Sequence, residues 1–296
     1  MAAVIVDAHH HLWRREHPWM VDPELAPLRR RFALEDLRAV AEPLGVSATV
    51  VVQAAAETSE TFELMHEAVS SDGLIAGVVG WVELTAPDVA DRLEILRAGG
   101  PLVGIRHQVQ DEPDPDWLAR EDVLRGLRAV CEAELRYDLL LRPANLPAAL
   151  RVAEALPELG VVVDHGAKPA IASGAWEPWS SGLAALAAHP NVHCKLSGLV
   201  TEARWSAWRE DGIERYIGRL LELFGPERLM FGSDWPVCTL AAGYSEVLEL
   251  AREALAGLGC TDSERAAVLG GNALGFYALG AGSSSAAASH SSTPAT

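Results

Sequence analysis

The sequence predicts a (β/α)8 barrel built as one domain. Three observations predict it: eight short apolar runs, the longer amphipathic stretches between them, and a length of 296 residues. Barrels of this kind take about 250 residues. Several runs are apolar almost throughout, as strands covered on both faces must be. Strand–helix alternation implies a parallel sheet. A doubly wound open sheet is the structural alternative. The barrel is expected over residues 1–279. The small, polar, unpatterned segment 280–296 (GAGSSSAAASHSSTPAT) is expected as a disordered tail.

Taken in order, strands are expected at Ala3–Asp7, Ala48–Val52, Ile75–Val82, Val103–His107, Asp138–Leu141, Val161–Asp164, Val192–Leu196 and Leu229–Phe231. Helices are expected between them. Glu60–Ser71 is the first, and Asp88–Ala98 sets Val89, Leu93 and Leu96 on one face before the Gly99-Gly100 stop. Asp122–Glu134, Leu146–Ala155, Ile213–Phe224 and Ser245–Ala256 continue the series, and Ser263–Leu279 reads as a closing helix. No internal repeat is present beyond this rhythm.

Hydrophobic residues make up 49% of the chain and charged residues 22%, which places it among globular proteins. Asp and Glu total 41 against 24 Lys and Arg, a net charge of −17 spread along the chain. Such a chain neutralises phosphates poorly, so neither a nucleic acid nor an anionic membrane is an expected partner. No run of about 18 apolar residues lacks a charge. The N-terminus has no positive n-region of a secretory signal. Cys131, Cys194, Cys238 and Cys260 lie far apart without a C-x-x-C pair, which suits free thiols in a reducing cytoplasm.

The residues that could do chemistry fall where strands end. Asp7-Ala8-His9-His10-His11-Leu12-Trp13 follows the first apolar run. Residues two apart share a strand face, so Asp7, His9, His11 and Trp13 are expected to point one way and His10 the other. Two imidazoles at i and i+2 at a barrel mouth could hold one divalent cation. Asp164-His165, Arg106-His107 and Ser233-Asp234-Trp235 end the sixth, fourth and eighth runs. Barrel chemistry comes from several strand ends on one face, so these residues could converge. G-x-S-x-G, G-x-x-x-x-G-K-[ST] and G-x-G-x-x-G are all missing, which removes serine esterase, P-loop and nicotinamide readings.

Asp7-x-His9-x-His11 with Trp13, Gly104-Ile105-Arg106-His107, Asp164-His165-Gly166-Ala167-Lys168-Pro169, Lys195-Leu196-Ser197-Gly198 and Phe231-Gly232-Ser233-Asp234-Trp235-Pro236 resemble the lactonase branch of the amidohydrolase superfamily. That branch holds L-fuconolactone and L-rhamnonolactone hydrolases and a pyrone-dicarboxylate lactonase. The resemblance runs from Asp7 to the Asn272 region. It implies a barrel that hydrolyses cyclic esters of a small, sugar-derived lactone. His9 and His11 match the first-strand pair, His165 the later histidine and Asp234 the final-strand carboxylate. A lysine that could bridge two metals is missing from the fourth strand end, where Arg106-His107 stands. One zinc-like ion on His9, His11, His165 and Asp234 is one version of the site; a metal-free site is the other.

In both versions Asp234 is the general base that takes the proton of the attacking water. Without metal, the positive role falls to His165, His107, Arg106 or a lysine. Arg106, His107, Lys168 and Lys195 are candidate substrate contacts, and Trp13, Trp81 or Trp235 could stack on a sugar. Nine Trp against five Phe and four Tyr fits a carbohydrate-like ligand. Two rival readings remain: a decarboxylase built on similar ligands, and a barrel that binds without catalysis.

Overall fold

The structure is a computed structural model, and it describes residues 4–280. Its eight strands are β1 (Ile5–His10), β2 (Val46–Val52), β3 (Ile75–Gly80), β4 (Leu102–His107), β5 (Arg136–Leu139), β6 (Val161–Val163), β7 (Val192–Leu196) and β8 (Leu229–Phe231). Each is parallel to the next, in sequence order from β1 to β8. The seam between β8 and β1 closes past the ends of β8: Asp234 N donates to His9 O at 2.8 Å and His11 N to Trp235 O at 2.7 Å. The sheet is therefore a barrel rather than an open doubly wound layer.

Helices cover the outside: α1 (Leu34–Ala41), α2 (Thr58–Val69), α3 (Val89–Ala98), α4 (Glu121–Glu132), α5 (Leu146–Ala155), α6 (Trp179–Ala187), α7 (Leu199–Glu202), α8 (Ile213–Phe224) and α9 (Tyr244–Gly257). Each buries an apolar stripe; α8 does so with Ile213, Tyr216, Ile217, Leu220 and Phe224 at helical spacing. Three helices, α1, α6 and α7, were not expected from the sequence pattern. α6 reads WSSGLAALA, whose small residues carry little amphipathic signal, and α1 and α7 are short.

The barrel interior holds its own small core. Val6, Ala8, Val50, Val52, Val79, Val162 and Met230 come from strands on opposite sides of the ring and pack with Ala273, Phe276 and Tyr277. Only the inside of a closed barrel can bring β2 and β6 to the same residues. The final segment thus plugs one end. It is not the single helix expected over Ser263–Leu279: α10 (Asp262–Ala266) and α11 (Asn272–Phe276) are separated by a π-helical turn at Ala267–Gly271. A Cβ on Gly270 would collide with Val4 O, so the turn widens where the chain crosses the start of β1. Apart from Gly280, the expected tail lies outside the described residues.

Candidate active site

The open end of the barrel collects the strand-end residues. His9 sits within β1, His11 just past it, His165 just past β6 and Asp234 just past β8. Their side chains meet. His9 Nε2 and His11 Nε2 are 3.3 Å apart, and Asp234 Oδ1 lies 3.9 Å from His9 Nε2, 3.6 Å from His11 Nε2 and 3.8 Å from His165 Nε2. All four residues are buried. Asp7 does not join them. The β1 register slips between Asp7 and His10, and the Asp7 carboxylate turns to the seam instead. There it accepts Ser233 N at 2.8 Å, Ser233 Oγ at 2.6 Å and Tyr244 OH at 2.8 Å.

Each imidazole is oriented through its other nitrogen. His11 Nδ1 donates to Val52 O at 2.7 Å, which fixes its tautomer and leaves the Nε2 lone pair inward. His165 Nδ1 bonds Ser197 Oγ at 2.8 Å. His9 Nδ1 lies 3.2 Å from Asp164 Oδ1 and 3.1 Å from Lys195 Nζ. Outer partners that hold imidazoles this way are characteristic of metal ligands. A tetrahedral zinc with bonds of about 2.0–2.1 Å sets its ligand atoms roughly 3.3 Å apart. Asp234 Oδ1 and the Nε2 atoms of His9 and His11 stand 3.3–3.9 Å apart, close to that spacing, so these three donors fit one such ion, and His165 Nε2 lies 3.8 Å from the same carboxylate oxygen.

Electrostatics agree with the geometry. Burial lowers the pKa of His11, pushes His9 well below the usual value and brings His165 to about 4, so all three are neutral lone-pair donors at pH 7. Burial would raise Asp234, but its carboxyl lies below the usual range, with the Lys168 ammonium among the charges that hold it there. It is ionised at neutral pH. Beneath the cluster lies a buried network with two carboxylates and two cations. Asp164 takes Arg106 Nη1 at 3.0 Å and Lys195 Nζ at 3.0 Å, and Lys195 also binds Asp138. Tyr277 OH donates to Asp138 at 2.9 Å. Arg106 Nη2 donates further to Gln53 O. Burial lifts Asp138 to about 6, whereas Lys195, His9 and Arg106 overcome burial at Asp164 and hold it well below the usual value.

A cavity of about 300 Å³ opens above this layer, bordered by His11, His165, Asp234, Arg106, Lys168 and Trp19, with Gln108 and Arg142 among the further residues around it. Other sequence candidates lie elsewhere. Lys195 is fully buried below the floor. His107 has both ring nitrogens engaged, by Trp81 Nε1 at 3.1 Å and Glu112 Oε1 at 2.6 Å, and its ring stacks on Trp117. Trp13 and Trp235 are buried and pack against Phe32. Sequence reasoning missed Trp19, whose indole borders the cavity, is 36% exposed and is pinned by Nε1 donation to Ala54 O at 3.0 Å. Trp19 sits in an irregular loop without periodicity, so no sequence pattern marks it. A second cleft of about 230 Å³, between the loop after β1 and α2, contains His17 and Glu60 but none of the four clustered residues.

Among known proteins, residues 6–279 match the family described as Amidohydrolase. The chain is 38% identical over 287 residues to an L-fucono-1,5-lactonase of Burkholderia ambifaria, covering 93% of this chain and 95% of that protein. It is also 38% identical over 292 residues to an L-fucono-1,5-lactonase of Burkholderia multivorans, covering 94% and 97%. A crystal structure of an amidohydrolase from Burkholderia multivorans with bound zinc superposes with a TM-score of 0.89 at 38% identity, covering 94% of this chain and all of that one. The chain belongs to the amidohydrolase family.

Proposed function

We propose that this protein hydrolyses a small sugar-derived lactone of the L-fucono-1,5-lactone type. One observation carries the reading: the Asp234 carboxylate faces three imidazoles at the edge of a cavity of about 300 Å³. The 38% identity to two lactonases supports the same reaction class over a decarboxylase or a binding-only barrel. The partner is then a small molecule.

His9, His11, His165 and Asp234 are the residues that would hold a zinc ion. When bound, zinc polarises an ester carbonyl and acidifies a nearby water. The chain's own groups do the rest. Asp234 accepts the proton of the attacking water at a carboxylate oxygen. Arg106 and Lys195, locked on Asp164, keep His9 turned toward the cluster. Trp19 offers an indole face to the C–H side of a sugar ring, with its N–H already satisfied by Ala54 O. Four free cysteines, three of them buried, suit a reducing compartment and support the cytoplasm as its location.

The test is a panel of aldonolactones, L-fucono-1,5-lactone included, followed by acid release with added zinc and with chelator. Acid release from 1,5-lactones is expected. No acid from any lactone under either condition would sink the reading.

A further inference from the structure

Three cations surround the cluster, and two are already paired with buried carboxylates, although the buried Arg106 Nε has no partner of its own. Arg106 donates to Asp164 and Gln53; Lys195 donates to Asp138 and Asp164. Lys168 is different. Among the described residues its ammonium makes no hydrogen bond, and the Glu202 carboxylate stands 3.8 Å away. Yet the side chain is only 18% exposed and borders the same cavity as His165 and Asp234. Arg142 also borders the cavity, but it is exposed at the mouth.

The backbone that presents Lys168 is unusual. His165, Gly166, Ala167 and Lys168 run consecutively through the left-handed region, with φ of 52°, 56°, 61° and 49°. Glycine takes that conformation freely; the other three do so at about 1–2 kcal/mol each. Packing holds the turn in place: Trp179 Nε1 donates to Gly166 O at 2.6 Å, Lys168 N to His165 O at 2.9 Å, and Ser197 Oγ binds His165 Nδ1. The turn sends two residues three apart, His165 and Lys168, onto one cavity wall. Strain kept at such a place points to function.

We propose that Lys168 is the acid that protonates the departing ring oxygen, with Glu202 as a positioning residue that holds the ammonium beside the cavity; this rests on the lactonase reading. Water oxygen bonds to the carbonyl carbon while Asp234 takes one of its protons, and the carbonyl electron pair moves onto oxygen. When that pair returns, the bond from carbon to ring oxygen breaks and leaves its electrons on the ring oxygen. That oxygen takes a proton from Lys168 Nζ. The proton held by Asp234 returns to the lysine, directly or through solvent, and the new carboxylic acid ionises. One water is consumed and one proton released. An alkoxide is a poor leaving group, so its protonation belongs in the barrier.

The experiment is amine rescue of Lys168→Ala on L-fucono-1,5-lactone. The variant is expected to lose about 10²-fold or more in kcat, with KM little changed and thermal unfolding unaltered. Ethylammonium restores turnover; tetramethylammonium, which carries charge but no proton, does not. Lys168→Met, which fills the space, is not rescued by either. Glu202→Gln loses part of kcat. A loss in Lys168→Ala below about threefold, failure of ethylammonium, or equal rescue by tetramethylammonium overturns the proposal. Those outcomes need an active wild type; a wild type inactive on every lactone defeats the lactonase reading instead.

Discussion

At the scale of single residues, the site depends on imidazoles that each spend one nitrogen on the scaffold and turn the other inward. Asp234 is the group they surround. Asp234→Asn keeps the size but cannot take a proton, so kcat should fall by about 10³-fold while the circular dichroism spectrum stays that of the wild type. Undiminished turnover would remove Asp234 as base. Gly198 offers a subtler test. It lies at φ 63°, and a Cβ there would stand 2.5 Å from His165 Nδ1. Gly198→Ala should push His165 from Ser197 and cost 10- to 100-fold in zinc affinity, the order seen for lost outer-layer partners. Competition with a chromogenic chelator measures it; wild-type affinity would show that His165 tolerates the shift.

At the scale of elements, the β2–α2 loop has its own device. Glu60 Oε2 accepts Ala54 N at 2.9 Å and Ala55 N at 2.8 Å, while Oε1 faces His17 Nε2 at 3.7 Å. Burial pushes its carboxyl from 4.5 to about 7. The folded state therefore keeps a proton that the unfolded chain releases, and stability drains away as pH rises from about 4.5 to about 7. Between pH 5 and 8 the wild type should lose about 2–3 kcal/mol more than Glu60→Gln, whose amide oxygen can still accept from both backbone N–H groups. Urea unfolding at the two pH values decides it, and parallel losses would contradict it. In α4, Gly126 packs where a Cβ would collide with Leu84 O. Gly126→Ala should gain helix propensity of about 1 kcal/mol and still unfold more easily, by about 1–3 kcal/mol from overpacking. A raised urea midpoint would show that the loop yields. The element pattern itself was legible: β7, β8, α5 and α8 fall on the expected residues, because apolar runs and helical stripes are local properties. The break inside the closing helix was not, since it answers to Val4 across the barrel floor.

At the scale of the whole molecule, strand ends far apart in the chain build one donor set, so metal and fold should be linked. Zinc at about 100 times its Kd stabilises a protein that binds it only when folded by about 2.7 kcal/mol. For a chain of this length that is several degrees in Tm. Thermal scans with zinc and with chelator should differ by that amount, and His11→Ala should abolish the difference. Identical scans for the wild type would rule out the proposed ion.

The sequence by itself determined the barrel, the order of its strands, and which residues stand at the open ends: His9, His11, His165 and Asp234 were readable because each closes or follows an apolar run. Tertiary structure alone decided which neighbours were spent and which stayed available. Arg106 Nη1 and Nη2 and Lys195 Nζ are taken up by partners distant in the chain and His107 by Trp81 and Glu112, whereas among the described residues Lys168 makes no hydrogen bond and Trp19 stays partly exposed. A hydrogen-bond partner is chosen by distance in space after the barrel closes, and no local spacing along the chain encodes that distance.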